Sequence, residues 1–246
     1  MKKIVIPAGV HKNIQRDIGS ETQAVEYHLE SNAQVTLFHE QNVPQTDSYE
    51  CAITFYMAPG SSLNYFPIML GAQQSAVTIT IILEHDTRAT VHGAYAINGV
   101  QEHTITTMQK HNGPNAHSSV TINGIAHQKS FVQYRGTIAI EKDAARVSAS
   151  QENKTILYSG TARALSIPSL EVKNNDVQCA HGSAVGPLQP ELIYYLQARG
   201  ISVLQAQRML LESFFDQTLV GLDDAAYKKY CIEQLVAKAF VSEAQV

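Results

Sequence analysis

At 246 residues, a formal net charge of −4 and only 16% charged residues, the chain is long enough for one large core and has no basic excess for nucleic acid. No apolar run approaches the roughly 18 residues that cross a membrane, and the opening MKKIVIPAGV breaks at Pro7, too early for a signal peptide. Cys51, Cys179 and Cys231 are odd in number and far apart, so no disulfide framework is expected and the cytoplasm is the default compartment.

Short apolar or alternating runs fill the first part: Ile4–Ile6, Val25–Leu29, Gln34–Phe38 and Cys51–Met57, the last followed by a Pro59-Gly60-Ser61 turn. Bounded by Gly, Pro, Asn and Ser, these read as strands. Val77–Leu83 (VTITIIL) is the strongest strand signal, β-branched at most positions. Ala89–Ile97, His103–Met108, Ser118–Ile125, Phe131–Ile140 and Arg146–Ala149 continue the series. Such a spacing suits a sandwich, a barrel or a β-helix. Two details favour the β-helix. Asn-Gly pairs, the usual tight-hairpin signal, are few, Asn98-Gly99 and Asn123-Gly124 among them, and longer polar connectors dominate elsewhere. The strands also mix apolar with small polar residues, as stacked coils with side-chain ladders require. No fixed-period repeat is visible.

Past Gly186-Pro187 the text turns helical. Pro190 suits the first turn of a helix from about Gln189 to Arg199, with Gly200 as its left-handed stop. Ser202 and Gln205 form a capping box for a second helix. Its stripe of Val203, Ala206, Leu210 and Phe214, thickened by Leu211 and Phe215, is apolar at helical spacing. Asp223 is a candidate cap for a third, bearing Tyr227, Tyr230, Cys231, Leu235 and Ala239. Three short helices cannot satisfy these faces alone, so they must dock on the β-part, on a partner, or on both.

The chain lacks the phosphate loop G-x-x-x-x-G-K-[ST], as well as G-x-S-x-G, H-E-x-x-H, C-x-x-C and G-x-G-x-x-G. His103, His111, His117 and His127 cluster in sequence, and the plainer expectation is hydrogen-bonded or exposed histidines on a polar β-surface. Cys179-Ala180-His181 is different in kind: in a strand, residues two apart face the same side. A thiolate beside an imidazole suits iron or another thiophilic metal, although two ligands do not complete a site. A second chain would supply the rest, or Cys179 is an ordinary small buried residue.

From Asp176 to Gly186, DVQCAHGSAVG resembles the D-V-x-C-x-H-G-A-x-x-G signature of SufD-like chains in the SufB/SufD family of iron–sulfur cluster assembly proteins. The likeness continues through Tyr194-Tyr195-Leu196-Gln197-Ala198-Arg199-Gly200-Ile201, similar to the family's F-Y-L-x-S-R-G-I, and through Ala206 and Phe214-Phe215. Upstream, Pro114–Ser118, Gly136-Thr137-Ile138 and Ile167–Glu171 also fit, so the resemblance covers about 110–219. SufB-like chains carry a scaffold cysteine in a Q-C-D-S context upstream of the equivalent histidine. Here that text is Ser150-Gln151-Glu152-Asn153-Lys154, without a thiol, and His181-Gly182-Ser183 replaces the SufB-like His-Glu-Ala.

The resemblance implies a mainly β chain: a right-handed parallel β-helix over 1–186 and a small C-terminal helical domain over 187–246. It implies a scaffold or accessory subunit, not an enzyme, with no tightly bound cofactor and a transient iron–sulfur cluster near His181 and Cys179 at a dimer interface. The expected partners are a SufC-like ATPase and either a SufB-like subunit or a second copy, with neither nucleic acid nor membrane. For the ATPase, the implied contact residues are Tyr195, Leu196, Arg199, Gly200, Ile201, Leu210, Phe214 and Phe215. Full-length members begin with an additional helical region and have a longer β-helix, whereas this chain enters β-structure almost at once. The alternative from another class is a β-helix that binds or acts on a polysaccharide. It is disfavoured because Glu84, Asp86, Glu102, Glu141 and Asp143 show no paired arrangement and Trp is absent.

Overall fold

The computed structural model describes residues 2–17 and 23–240. Among the described residues, fourteen strands alternate between two seven-stranded sheets. One holds β1 (Lys2–Ile6), β3 (Gln23–Leu29), β5 (Ser48–Met57), β7 (Gln74–Leu83), β9 (Glu102–His111), β11 (Phe131–Ile140) and β13 (Arg163–Val172), in that order. The other holds β2 (His11–Asp17), β4 (Gln34–Gln41), β6 (Ser62–Met69), β8 (Arg88–Ile97), β10 (His117–Ala126), β12 (Val147–Leu157) and β14 (Val177–Gly186). The paired strands are parallel throughout, which makes a solenoid of two strands per coil. Coil length drifts. Lys2 lies opposite Val25, 23 positions on; Arg88 opposite His117, 29 on; and Phe131 opposite Arg163, 32 on. A drifting period leaves no fixed repeat to read in sequence.

Alternate residues of each strand point into the space between the sheets. Val77, Ile79, Ile81 and Leu83 of β7 and Val91 of β8 belong to one continuous core with Tyr27, Phe55, Tyr65, Tyr95 and Tyr134. Two buried tyrosine hydroxyls in this core have close partners: His39 Nδ1 is 2.9 Å from Tyr65 Oη, and Tyr134 Oη is 2.8 Å from Thr107 Oγ1. Gly124, read as a hairpin signal, lies inside β10, where a Cβ would strike the Tyr95 ring.

One corner of the coil repeats a left-handed residue. Gly9, Asn32, Gly60, Asp86, Asn115 and Arg146 have φ between +54° and +75°. Each N–H donates to a carbonyl of the next coil, as in Asn32 to Pro59 at 3.0 Å and Asn115 to Ala145 at 3.0 Å. Side chains extend the ladder: Asn115 Nδ2 donates to Asp86 Oδ1 (2.9 Å), and Arg146 Nε donates to Asn115 Oδ1 (2.8 Å). Glycine, Asn and Asp tolerate this conformation, so the ladder pins coil register cheaply.

Three helices follow: α1 (Pro190–Gln197), α2 (Val203–Thr218) and α3 (Ala225–Ala237). The Ser202–Gln205 capping box is formed, and Gly200 has φ +83°. The third cap is Asp224 rather than Asp223; its Oδ1 accepts from Tyr227 N–H at 3.0 Å. Leu211, Phe215, Cys231, Leu235 and Val236 form a second core against Phe66, Ile68, Leu70, Ala94, Ala96 and Ile125, on the outer face of β6, β8 and β10. The buried stripe of α2 is thus Ala206, Leu211, Phe215 and Thr218, while Val203 stays exposed. Among the described residues, no helix is long and apolar enough to cross a membrane.

Candidate functional site

The solenoid ends on β13 and β14, each hydrogen-bonded to a neighbour on one side only. Neither is capped by another element of the described residues, and Leu165, Ile167, Leu170, Val172 and Val185 are exposed there. The sequence places Cys179-Ala180-His181 on a strand and points to the strands from about Ile138 to His181 as a pairing edge, without giving bounds for β13 or β14. Register fixes what they present. Cys179 lies beside Ala149, His181 beside Gln151 and Ser183 beside Asn153. Ala149, Gln151 and Asn153 point into the core, so Cys179, His181 and Ser183 share that inward face.

At the last coil, however, the inward face is open. His181 is exposed and Cys179 is half-buried, its thiol pushed up by burial. Nothing on the chain completes a ligand set: among the described residues, no group of three or more His, Cys, Asp or Glu gathers. One coil deeper the lining is polar and unsatisfied. Both amide atoms of Gln151 and Asn153 Oδ1 there, and Ser166 Oγ on the edge strand β13 itself, are buried without a hydrogen-bond partner. Room for the Gln151 amide exists because Gly136 faces it; a Cβ there would strike the amide atoms. In the sequence this stretch stands out only for lacking a thiol. The missed signal was the alternation Gln151, Asn153, Thr155, which puts polar side chains at core positions.

The four clustered histidines do not converge. His103 and His111 stand at opposite ends of β9, both buried, and burial pushes each down to about 4. His111 Nε2 is 2.9 Å from Ser118 Oγ, whereas His127 packs edge-on to Tyr158. His117 is half-buried in a shallow groove with Arg146, Ser148 and Gln178.

Of the residues expected to meet an ATPase, Phe215 is fully buried inside the chain. Leu196, Ile201, Leu210 and Phe214 are half-buried, and Tyr195, Arg199 and Gly200 are exposed. Arg199 stacks over the Tyr195 ring at 4.5 Å. α1 buries none of its residues, and Leu192, Tyr194, Leu204 and Met209 are exposed apolar neighbours on α1 and α2.

The family description "SUF system FeS cluster assembly, SufBD core domain" matches residues 8–214. The iron–sulfur cluster assembly protein SufD of Plasmodium falciparum (isolate 3D7) is 24% identical over 83% of this chain and 15% of its own length. SufD of Escherichia coli (strain K12) is 28% identical over 52% of this chain and 30% of its own, and SufD of Bacillus subtilis (strain 168) 28% over 62% and 34%. The chain thus matches about a third or less of the length of these relatives. The two-sheet parallel solenoid, the C-x-H segment on its last strand and the matched core domain together place the chain in the SufB/SufD family of the SUF iron–sulfur cluster assembly system, on its SufD-like side.

Proposed function

We propose that the chain is a SufD-like, non-enzymatic scaffold or accessory subunit of a SUF assembly complex in the cytoplasm. It pairs through β13 and β14 with a SufB-like chain or with itself, and the nascent iron–sulfur cluster, as cargo, assembles at that junction. One observation carries this reading. Cys179 and His181 share a face of an edge strand whose pairing side is free, two soft or borderline donors short of a full set. A partner edge would bring the remaining ligands and cover the exposed apolar residues. The orphaned amide of Gln151 on β12 and hydroxyl of Ser166 on the edge strand β13 give polar partners for cargo or for the incoming edge.

The helical part is proposed to take a SufC-like ATPase on the face built by Tyr195, Arg199, Gly200 and the exposed side chains of α1 and α2. Phe215, Leu211 and their neighbours hold that face onto the solenoid and act on the partner only by position. The test is capture of the cognate ABC-type ATPase by wild type and by Tyr195→Asp. Tyr195 is 54% exposed, so the variant folds, and loss of capture is expected. Undiminished capture by Tyr195→Asp with an unchanged melting curve would show that the ATPase docks elsewhere.

A further inference from the structure

We propose that a groove on the outer face of β10, β12 and β14 binds inorganic phosphate. Arg146, His117, Ser148 and Gln178 supply the donors, and Asp176 accepts from the proton that the phosphate keeps. The proposal does not rest on the SUF reading.

Register builds the groove. Parallel pairing sets His117 of β10 beside Ser148 of β12, and Ser148 beside Gln178 of β14. Ser118 and Ala149 point into the core, so these three side chains stand in one outward row, about 4.8 Å from strand to strand. Arg146 just before β12 and Asp176 just before β14 close the groove at the corner of the coil, and its volume is about 420 Å³. The helices leave it open, since they pack over Ala94, Ala96 and Ile125, toward the other ends of β8 and β10.

Three observations point to an anion. First, Arg146 is pre-set: its Nε donates to Asn115 Oδ1 at 2.8 Å, and Asn115 Nδ2 donates in turn to Asp86 Oδ1 at 2.9 Å. That fixes the guanidinium plane. Its two terminal nitrogens, the fork that grips an oxyanion through two parallel bonds, have no partner among the described residues. Second, the His117 ring, the Ser148 hydroxyl and the Gln178 amide also lack a hydrogen-bond partner among the described residues. Elsewhere on this face polar groups satisfy one another, Ser150 with Ser119 at 3.1 Å and Lys154 with Glu152 at 2.8 Å. Third, positive charge gathers here. Arg88 of β8 lies beside His117 in the same row, while the corner carboxylate Asp86 is taken up by His85 and Asn115.

Asp176 decides which anion. Its N–H donates to Asn174 Oδ1 at 2.8 Å and its carbonyl accepts from Arg146 N–H at 2.6 Å, whereas its exposed carboxylate has no partner among the described residues. A free carboxylate in an anion groove repels sulfate, which has no proton to offer at neutral pH. Inorganic phosphate still carries a P–OH there and donates it to the carboxylate. A phosphate monoester, whose second ionisation falls at about 6, has largely lost that proton by about pH 7.5.

The experiment is calorimetric titration of the full chain at about pH 7.5 with inorganic phosphate, sulfate and methyl phosphate, beside NMR of the His117 ring. Phosphate is expected to bind with a dissociation constant of about 1 mM and to shift the His117 resonances, with sulfate and methyl phosphate about tenfold weaker or worse. Arg146→Lys keeps the charge but loses the fork, and should weaken phosphate about tenfold. Asp176→Asn trades the acceptor for a donor and should bind sulfate as well as it binds phosphate. Both positions are exposed, so the melting curves should stay near wild type. No phosphate binding at about 10 mM, or binding that leaves the His117 ring unmoved, overturns the site. Wild type that takes sulfate as readily as phosphate, or an Asp176→Asn chain that keeps the wild-type selectivity, overturns the role of Asp176 and the proposal with it.

Discussion

Buried neutral histidines should make this solenoid sensitive to mild acid. His103 and His111 are 2% and 0% exposed, and burial holds both near 4. In the unfolded chain each takes up a proton near the ordinary value of about 6.5. Between those values the unfolded state binds more protons than the folded one. Their contribution to stability is therefore complete above about pH 7 and falls as the pH drops from about 6.5 toward 4. At pH 5 the loss is about 1.5 pH units for each, or roughly 2 kcal/mol, and about 4 kcal/mol for the pair, set against a typical domain stability of 5–15 kcal/mol. His92, also pushed down by burial, adds in the same direction. Asp86 and Glu141 are held below their ordinary values by His85 and Lys173 respectively, and their contributions are lost only at lower pH. The assay is urea unfolding from pH 8 to 5 on wild type and on His103→Gln/His111→Gln, which keeps a donor for Ala72 O and Ser118 Oγ but cannot titrate. A much shallower pH dependence in the double variant is expected. An identical slope in both proteins would refute the assignment of the acid sensitivity to these two side chains.

Phe215→Ala should cost about 3–5 kcal/mol in thermal or urea unfolding, because the ring is fully buried between α2 and the outer face of β6, β8 and β10. A loss under 1 kcal/mol would mean the helices are not held on the sheet this way. Truncation after Gly186 uncovers Phe66, Ile68, Leu70 and Ile125 together, so the shortened chain should bind a hydrophobic dye and self-associate. A monomeric truncated chain without dye binding would contradict that packing.

The β-character and the cap of α2 were legible because local chemistry encodes them, whereas the solenoid class rested chiefly on the family resemblance. Val77–Leu83 is β-branched along its length, and Ser202 with Gln205 makes its capping box from adjacent residues. The coil period was not legible, since turns of unequal length shift it from 23 to 32 positions while the left-handed corner residues keep the strands aligned. Asp223 and Asp224 are indistinguishable as caps until the backbone chooses the second. Which face of α2 turns inward was also hidden: Val203 and Leu211 look alike in sequence, and only the sheet beneath selects Leu211. At the site, Cys179 and His181 stood out by type and spacing. Their position at an open end, above the unsatisfied Gln151, depends on which strand is last, a property of the whole stack.

His181 is proposed to serve cluster assembly at the open end rather than to hold the fold together. It is tested by reconstituting an iron–sulfur cluster on the assembled complex with wild type, His181→Ala and Cys179→Ser, beside their melting curves. His181 is exposed, so its removal should change stability by no more than about 0.5 kcal/mol while cluster yield falls clearly, with Cys179→Ser affected less. A His181→Ala protein that melts several degrees lower yet assembles cluster at the wild-type level would contradict the claim and make His181 a structural residue.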